Sequence, residues 1–388
     1  MKPEVVRIAG AGPAGLCAAL LLARAGRRVE VRERRAVVGH RFRGAVHGIE
    51  NWSSPEPFSE RLAAWGIELG PVLSPCRELW LCGRRQRHVI RSSAPLFYLV
   101  QRGPDAASLE GRLLALAREA GADVRLGQSF EPGAAQLEAI GPTSNHRVCT
   151  EAGFHFQTHA PDVAAALVDR QWTPRGYAYL LVREGAGSLC AVRFDGEPVA
   201  RDQLARCEAL LRGHVDLDVR QRRPGAGFGS FRLLGHFGSP ERWAIGEHAG
   251  LQDLLWGFGI RRALESAALA ARCWLDGADY ANAARGAFAV PDRAAVVNRC
   301  LWDATAAHAL PIYVRWLRRG GDVRSALARA TGERGVHRWL YPFALRRLQQ
   351  RFAAVLATHP RGSSVAAVDA RGFHEPLLIH DGRECGER

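Results

Sequence analysis

The sequence predicts an α/β fold with α+β character: a three-layer, Rossmann-like nucleotide-binding domain, an inserted domain built on a mixed sheet, and a helical C-terminal region. Two observations predict the first domain. A short β-branched strand enters a complete G-x-G-x-x-G turn near the N-terminus, and a strand followed by glycines and a long helix recurs after residue 240. The third observation is the helix-favouring sequence of residues 281–358, which predicts the helical region.

The composition is that of an ordinary globular protein. The chain has 388 residues, of which 47% are hydrophobic and 24% charged, and this excludes a disordered chain. Lysine and arginine outnumber aspartate and glutamate by 53 to 39, which gives a net charge of +14. Because the arginines are spread along the whole chain, we expect no nucleic-acid partner and attribute the charge to composition, although it also suits an acidic redox partner.

Three features of the sequence bear on whether the protein binds a metal and where in the cell it lies: its cysteines, its histidines and its longest uncharged run. Nine cysteines without a C-x-x-C pair argue against a disulfide framework, a zinc site or an iron–sulfur cluster. His155 and His159 lie in an alternating strand pattern, which separates their rings too far for a metal pair. The uncharged run Ile8–Ala23 is broken by glycines, is too short to span a membrane and makes a poor signal peptide. We therefore expect a cytoplasmic protein without a metal.

The N-terminal motif predicts a site for an adenine dinucleotide. The strand Val5–Ala9 leads directly into the glycine turn. Gly10 makes the tight turn, Gly12 lets the backbone approach a pyrophosphate, and Gly15 lets the following helix pack closely, with its N-terminus towards the phosphates. Glu33, at the end of the next strand, can accept ribose hydrogen bonds and disfavours a 2′-phosphate. The pattern therefore indicates FAD or NAD rather than NADP.

The second glycine motif favours FAD. A short strand, Arg242–Ile245, ends in Gly246-Glu247, and the segment from Gly257 to Ile260 opens the helix Arg261–Leu275. An acid in this place meets the hydroxyls of a ribityl chain, and the helix N-terminus faces the electron-rich N1/O2 edge of a flavin ring.

Together the two motifs resemble FAD proteins with the glutathione-reductase-type fold, in the branch of aromatic hydroxylases and geranylgeranyl reductases. The resemblance covers about residues 3–275, and it departs from the family at Glu247, where relatives usually have aspartate. It also extends to an arginine after the second strand, Arg41, and to Arg102 before a helix at Pro104–Ala120. It implies that FAD is bound non-covalently by the following residues: Gly10, Gly12, Pro13, Ala14, Gly15, Glu33, Arg34, Arg41, Arg102, Gly246, Glu247, Gly257, Phe258, Gly259 and Ile260.

Three departures concern the electron donor and the region after the first motif. The third cofactor segment of the family is reduced to Ala139-Ile140-Gly141, and the glycine run Gly225–Gly229 lacks the buried strand and helix of a second nucleotide site. The donor is therefore either NADPH or a reduced redox protein, and we favour the latter. The family resemblance predicts a helix opening at Gly48-Ile49, but the cysteine that some relatives place before this pair is absent.

A second aromatic segment indicates the substrate region. Pro174–Val182 is similar to the P-x-x-Y-x-W-x-F-P segment of geranylgeranyl reductases, and strand alternation puts Tyr177, Tyr179 and Leu181 on one face. The resemblance implies that this face lines a cavity for a prenyl chain beside the flavin. His47 and His248 are expected to flank that cavity. The candidate catalytic residues are accordingly His47, Tyr177 and Tyr179.

These assignments predict the domain organisation. Residues 1–145 and 241–280 form the FAD-binding domain, with substrate-domain segments near 46–100, and residues 146–240 form the substrate domain. Residues 281–388 form the helical region with a flexible tail after Pro360. Tryptophans beside arginines in this region, such as Trp316 and Trp339, are consistent with a cap over the cavity or with contact to a membrane that delivers a lipid substrate.

The resemblance implies an FAD-dependent oxidoreductase that reduces a C=C bond of a hydrophobic, isoprenoid-like substrate by hydride from flavin N5. The alternative is a flavin-dependent monooxygenase that acts through a C4a-hydroperoxide, and a third reading is a redox-neutral cyclase or isomerase. A halogenase is excluded because Lys2 is the chain's single lysine, whereas halogenases need one in the active site.

Overall fold

The structure is a computed structural model. It describes residues 5–142, 147–169, 171–231, 233, 235–319, 321–332 and 335–358. The predicted tail after Pro360 lies outside the described residues.

Strands and helices alternate through the first two thirds of the chain, and helices make up the last third. In chain order the strands are β1 (Val5–Ala9), β2 (Arg28–Glu33), β3 (Val46–Glu50), β4 (Ser74–Cys76), β5 (Glu78–Cys82), β6 (Arg87–Arg91), β7 (Phe97–Gln101), β8 (Asp123–Leu126), β9 (Leu137–Glu138), β10 (Arg147–Gln157), β11 (Val163–Leu167), β12 (Gly176–Arg183), β13 (Ala186–Arg193), β14 (Arg220–Ser230) and β15 (Trp243–Ala244). The helices are α1 (Pro13–Arg24), α2 (Phe58–Ala64), α3 (Leu109–Glu119), α4 (Arg201–Arg212), α5 (Ile260–Asp276), α6 (Tyr280–Arg319), α7 (Val323–Thr331) and α8 (Gly335–Thr358).

The first sheet is parallel and has the strand order β15-β9-β1-β2-β8. Its central strand β1 is a short β-branched run whose Val6 and Ile8 are fully buried. Helix α1 packs against α3 and α5, and Leu16, Leu113 and Leu264 from the three helices share one buried cluster with β1. This is the predicted Rossmann-like unit, and it brings the two glycine motifs to the same end of the sheet because β15 and β1 run parallel.

The second sheet is mixed, with the order β14-β10-β13-β12-β11-β5-β6. Only β11 and β5 pair in parallel; the other neighbours are antiparallel. One face buries Phe154, Leu180 and Leu189 against helix α4, whose Leu204 and Leu211 belong to the same apolar cluster. Side chains alternate along each strand, so the other face of this sheet is left to line a cavity.

A small third sheet, β3-β7-β4, corrects the prediction for residues 48 and 49. Gly48 and Ile49 open no helix; they lie in β3, opposite Leu99 and Tyr98 of β7. The reason is tertiary, because β7 offers a buried partner strand. A Cβ at Gly48 would also lie 2.9 Å from the ring of Phe258, so the strand and the second glycine motif approach closely here.

The helical region confirms the prediction for the last third of the chain. Helix α6 packs on α5, α7 and α8. Two ion pairs join it to its neighbours, Arg262 of α5 with Asp292 and Arg351 of α8 with Asp303, and Asp303 also pairs with Arg299 within α6. In the described part of the chain, no helix has the length and apolarity needed to cross a lipid bilayer.

We expect Gly15→Ala to destabilise the protein because its new Cβ would lie 1.9 Å from the carbonyl oxygen of Gly10, which is backbone and cannot rotate away. The free energy of unfolding should fall by about 1–3 kcal/mol. Gly286→Ala in α6 is the matched control, since nothing lies within 4 Å of its Cβ, and helix propensity should raise stability there by roughly 0.5–1 kcal/mol. Urea denaturation followed by circular dichroism measures both, and an equal change in the two variants would contradict the packing role.

Candidate active site

One large cavity, of about 1710 Å³, lies between the parallel sheet, the free face of the mixed sheet and helices α6 and α7. A site for a single small ligand is commonly about 300–1,000 Å³. The volume therefore suits two ligands that lie side by side, such as a cofactor and a substrate.

The glycine turn forms one end of the cavity. Gly10 has φ +98°, and a Cβ there would lie 2.4 Å from the carbonyl oxygen of Ala139. Gly12, the N-cap of α1, has open space where a Cβ would be, and it lines the cavity together with Pro13 and Ala14. No side chain caps this helix, so its N-terminal N–H groups and its positive dipole end are available to an anion.

Glu33 borders the same end and has a structural role that its sequence position did not indicate. Its carboxylate accepts hydrogen bonds from the backbone N–H of Ala11 at 3.0 Å and of Arg35 at 2.9 Å. It therefore fastens the glycine turn to the end of β2. Because a carboxylate can accept about four hydrogen bonds, it retains capacity for a ribose. Arg34, beside it, also lines the cavity.

Glu247 lies at the second glycine motif. Gln252 Nε2 donates a hydrogen bond to its Oε1 at 2.6 Å, and Arg41 Nη1 lies 4.0 Å from its Oε2. Burial is the main effect on this carboxyl and raises its pKa, against the opposing charge of Arg41. Gln252, which belongs to no sequence motif, packs between Gly229 and Gly259, where added Cβ atoms would lie 2.6 Å and 3.0 Å from its side chain.

His47 is held by a buried chain of polar groups. Arg102 Nη1 donates to His47 Nδ1 at 2.9 Å, and Arg102 Nε donates to Glu110 Oε1 at 2.6 Å. A guanidinium can only donate, so Nδ1 accepts and the proton of the neutral imidazole sits on Nε2. Burial, and next the charge of Arg102, hold the pKa of His47 well below its usual range. At neutral pH His47 thus offers an N–H donor, not the acidic imidazolium that protonation of a substrate would need.

The three residues that alternation places on one face of the aromatic strand lie at the cavity. Tyr177, Tyr179 and Leu181 of β12 all border it. The hydroxyl of Tyr177 donates to the carbonyl of Trp256, and the hydroxyl of Tyr179 donates to Glu151 Oε1 at 2.6 Å. Burial raises the pKa of both tyrosines well above their usual range, so both keep their protons.

Apolar side chains from separate parts of the chain complete the far end of the cavity. Leu79 and Ile90 come from β5 and β6 of the mixed sheet, and Tyr313 and Leu317 come from α6. The ring of Trp52 meets the ring of Phe258 edge to face at 5.3 Å beside the second glycine motif. The apolar lining of this part of the cavity suits a hydrophobic molecule.

The structure brings most of the sequence-selected residues together. The following line the cavity: Gly10, Gly12, Pro13, Ala14, Glu33, Arg34, Arg41, His47, Arg102, Tyr177, Tyr179, Glu247, Gly257, Phe258, Gly259 and Ile260. Gly15 and Gly246 do not line the cavity. A Cβ at Gly15 would meet the backbone of Gly10, and a Cβ at Gly246 would meet the side chain of Ala14, so both glycines allow the close packing behind the cavity wall. His248 does not line it either, since its Nε2 lies 3.4 Å from Glu138. Among the described residues, no group of three or more His, Cys, Asp or Glu side chains is placed to hold a metal.

Comparison with known proteins shows which proteins share the fold of this chain. Residues 8–56 match the model of the NAD(P)-binding Rossmann-like domain. A geranylgeranyl bacteriochlorophyll reductase-like protein from Thermoplasma acidophilum aligns over 90% of this chain and 99% of its own, with a TM-score of 0.65 and 17% identity. A triple mutant of a flavin-dependent brominase aligns over 89% and 99%, with a TM-score of 0.60 and 12% identity.

A probable FAD-dependent monooxygenase from Pseudomonas aeruginosa aligns over 84% of this chain and 99% of its own, with a TM-score of 0.54 and 16% identity. No curated protein matches the chain. Since all three identities are low, the likeness is one of fold. The chain has the fold shared by the reductase-like protein, the flavin-dependent brominase and the probable FAD-dependent monooxygenase.

Proposed function

We propose that the protein is an FAD-dependent oxidoreductase that reduces a C=C bond of a hydrophobic, isoprenoid-like substrate. The observation that carries the proposal is the continuity of one cavity, with an uncapped helix N-terminus and a glycine turn at one end and apolar walls at the other. The first end fits a dinucleotide and the second fits an apolar chain, so a flavin and a long alkene can lie in contact.

The residues at the glycine motifs fit FAD. The open space at Gly12 and the N-terminus of α1 suit a pyrophosphate, and Glu33 suits a ribose. Glu247 and the segment Gly257–Ile260 would hold the ribityl chain and one edge of the ring. When bound and reduced, FAD would supply a hydride equivalent to one alkene carbon, and a cavity acid or a water molecule would supply the proton to the other. The chain's own contribution is to exclude water, orient the alkene against Tyr177 and Tyr179, and offer a hydrogen-bond donor at His47 Nε2.

A monooxygenase is the second candidate. The observation in its favour is the neutral state of His47, because a hydrogen-bond donor in a largely apolar cavity would also suit transfer of one atom of molecular oxygen activated by the reduced flavin, with the other atom leaving as water. A redox-neutral cyclase or isomerase is a third and weaker reading, since the fold neighbours described above bear the names of redox enzymes.

We further propose that an acidic redox protein reduces the flavin faster than NADPH does. The net charge of +14 supports complementary association, and the glycine run Gly225–Gly229 lies in the edge strand β14 and not in a second nucleotide-binding turn.

We also propose that the protein is cytoplasmic and makes a peripheral contact with an anionic membrane. Trp339 and Phe343 of α8 are 70% and 69% exposed, and Arg346 and Arg347 follow on the next turn. Aromatic side chains beside arginines match an interface with anionic headgroups. Co-sedimentation with vesicles of anionic lipid but not of neutral lipid, abolished by Trp339→Ser with Phe343→Ser, would support this contact.

We expect Glu247→Ala to lower the affinity for FAD about tenfold or more, because hydrogen bonds to a charged group typically contribute roughly 1.5–3 kcal/mol. Glu184→Ala is the control, since Glu184 is an exposed glutamate in the turn after β12. Titration of flavin-free protein with FAD, followed by quenching of flavin fluorescence, measures both. Equal affinities in the two variants would show that Glu247 does not hold the cofactor.

Anaerobic reduction tests the reaction itself. We expect the protein, purified with FAD and reduced by light, to be reoxidised by an isoprenoid alkene in the absence of oxygen, with the saturated product detected by mass spectrometry. Reoxidation by oxygen alone, with an oxygen atom inserted into the ligand, would favour the monooxygenase.

The electron donor is tested by stopped-flow mixing. We expect reduced ferredoxin to bleach the flavin faster than NADPH does and to lose this advantage at high salt. Rapid, ligand-stimulated bleaching by NADPH would overturn the donor proposal.

A further inference from the structure

Glu151 places a carboxylate on the cavity face of the mixed sheet, and no step of the proposed reaction uses it. It lies on β10 opposite Val192 of β13, which in turn lies opposite Tyr177 of β12. Three adjacent strands thus carry Glu151, Val192 and Tyr177 in one row, and all three line the cavity. Tyr179 is two residues further along β12, and its hydroxyl donates to Glu151 Oε1 at 2.6 Å.

Neutral groups flank this carboxylate on one side, and Arg41 lies on the other, because its guanidinium packs against Gly227 of β14, the cross-strand partner of Glu151. Cys149, Cys190 and Tyr177 are close enough for the charge of Glu151 to raise their pKa values, in each case after burial as the largest cause. These thiols and the phenol keep their protons, so Glu151 is the carboxyl group of this row of residues. A carboxylate accepts about four hydrogen bonds, and Tyr179 supplies one of them.

Glu151 is half-buried, and a ligand that covers its carboxylate removes it from water at a cost unless donors or a cation compensate it. Apolar residues lie beyond Tyr179: Leu181 continues β12, and Ala166 of β11 and Leu81 of β5 are in register with Tyr179. A ligand that fills this part of the cavity therefore meets an acceptor at one place and hydrocarbon beyond it. Its own polar group must be a donor, since a second anion at this position would be repelled.

We infer that Glu151 and Tyr179 form an anchor for the polar end of the substrate, and that this end is a neutral or cationic hydrogen-bond donor. The inference rests on the proposed function and deepens it: the substrate class is an amphipathic alcohol, phenol or amine with a long apolar tail, and not a carboxylate or a diphosphate ester. The tail would follow Leu181 and Leu79 towards α6, and Tyr177 would connect the anchor to Trp256, which directly precedes Gly257 of the second glycine motif.

The experiment compares three ligands that share one isoprenoid tail and differ at the head: farnesol, farnesylamine and farnesoic acid. Binding to the FAD-loaded protein is measured by quenching of the fluorescence of tryptophans, two of which, Trp52 and Trp256, line the cavity. We expect the alcohol and the amine to bind about tenfold or more tightly than the acid, because a hydrogen bond to a charged group and the avoided repulsion act together.

Three variants test which side chain is responsible. Glu151→Gln should weaken the amine about tenfold and remove the penalty on the acid, and Tyr179→Phe, which keeps the ring, should weaken all three ligands less. Glu184→Gln is the control, an exposed glutamate outside the cavity, and should leave the ligand order unchanged. Flavin content and circular dichroism verify that each variant is folded.

Equal binding of the acid and the alcohol by the wild type, or an unchanged ligand order in Glu151→Gln, would overturn the anchor. These outcomes differ from failure of the proposed function. If the reduced protein leaves every alkene unreduced but keeps the preference for donor heads, the proposed reaction fails and the anchor stands. If the protein reduces alkenes equally well whatever their head group, the anchor is wrong and the proposed function stands.

Discussion

The close passage of helix α1 beneath the carbonyl of Gly10 is the contact on which the rest of the site depends. A Cβ at residue 15 would lie 1.9 Å from that oxygen, so only glycine lets the helix begin where it does. This placement points the uncapped N-terminus of α1 into the cavity, and the bonds from Ala11 and Arg35 to Glu33 hold the turn against β2. A shift of this helix by a turn would remove the anion-binding end altogether.

The two ends of the cavity are connected by elements that are distant in sequence. β3 passes so close to the second glycine motif that the ring of Phe258 occupies the space of a side chain at Gly48. Tyr177 binds the carbonyl of Trp256 and ties the mixed sheet to the same motif. Buried pairs such as Arg262 with Asp292 then fix α6 over the apolar end. Such pairs are poor sources of net stability, but they specify one arrangement of the helices.

Local patterns were sufficient for part of the site. Alternation along β12 predicted that Tyr177 and Tyr179 share a face, because strand geometry decides this without any knowledge of the partner strands. Glu151 and Gln252 carried no such signal. Glu151 acquires its role from a tyrosine that reaches it across the intervening strand β13, and Gln252 from two glycines on separate elements. For the same reason Gly48 and Ile49 form a strand, since β7 supplies the partner that their local sequence does not show.

By itself the sequence determined the parallel nucleotide-binding unit, the pair of glycine motifs and the helical last third, because glycine turns, buried β-branched strands and helix-favouring runs are properties of neighbouring residues. Only the tertiary structure decided that His47 is neutral, that Glu151 lies in the wall of the cavity and that α6 covers its apolar end. These properties depend on burial and on hydrogen bonds between residues far apart in the chain, and both arise when the sheets and helices pack together.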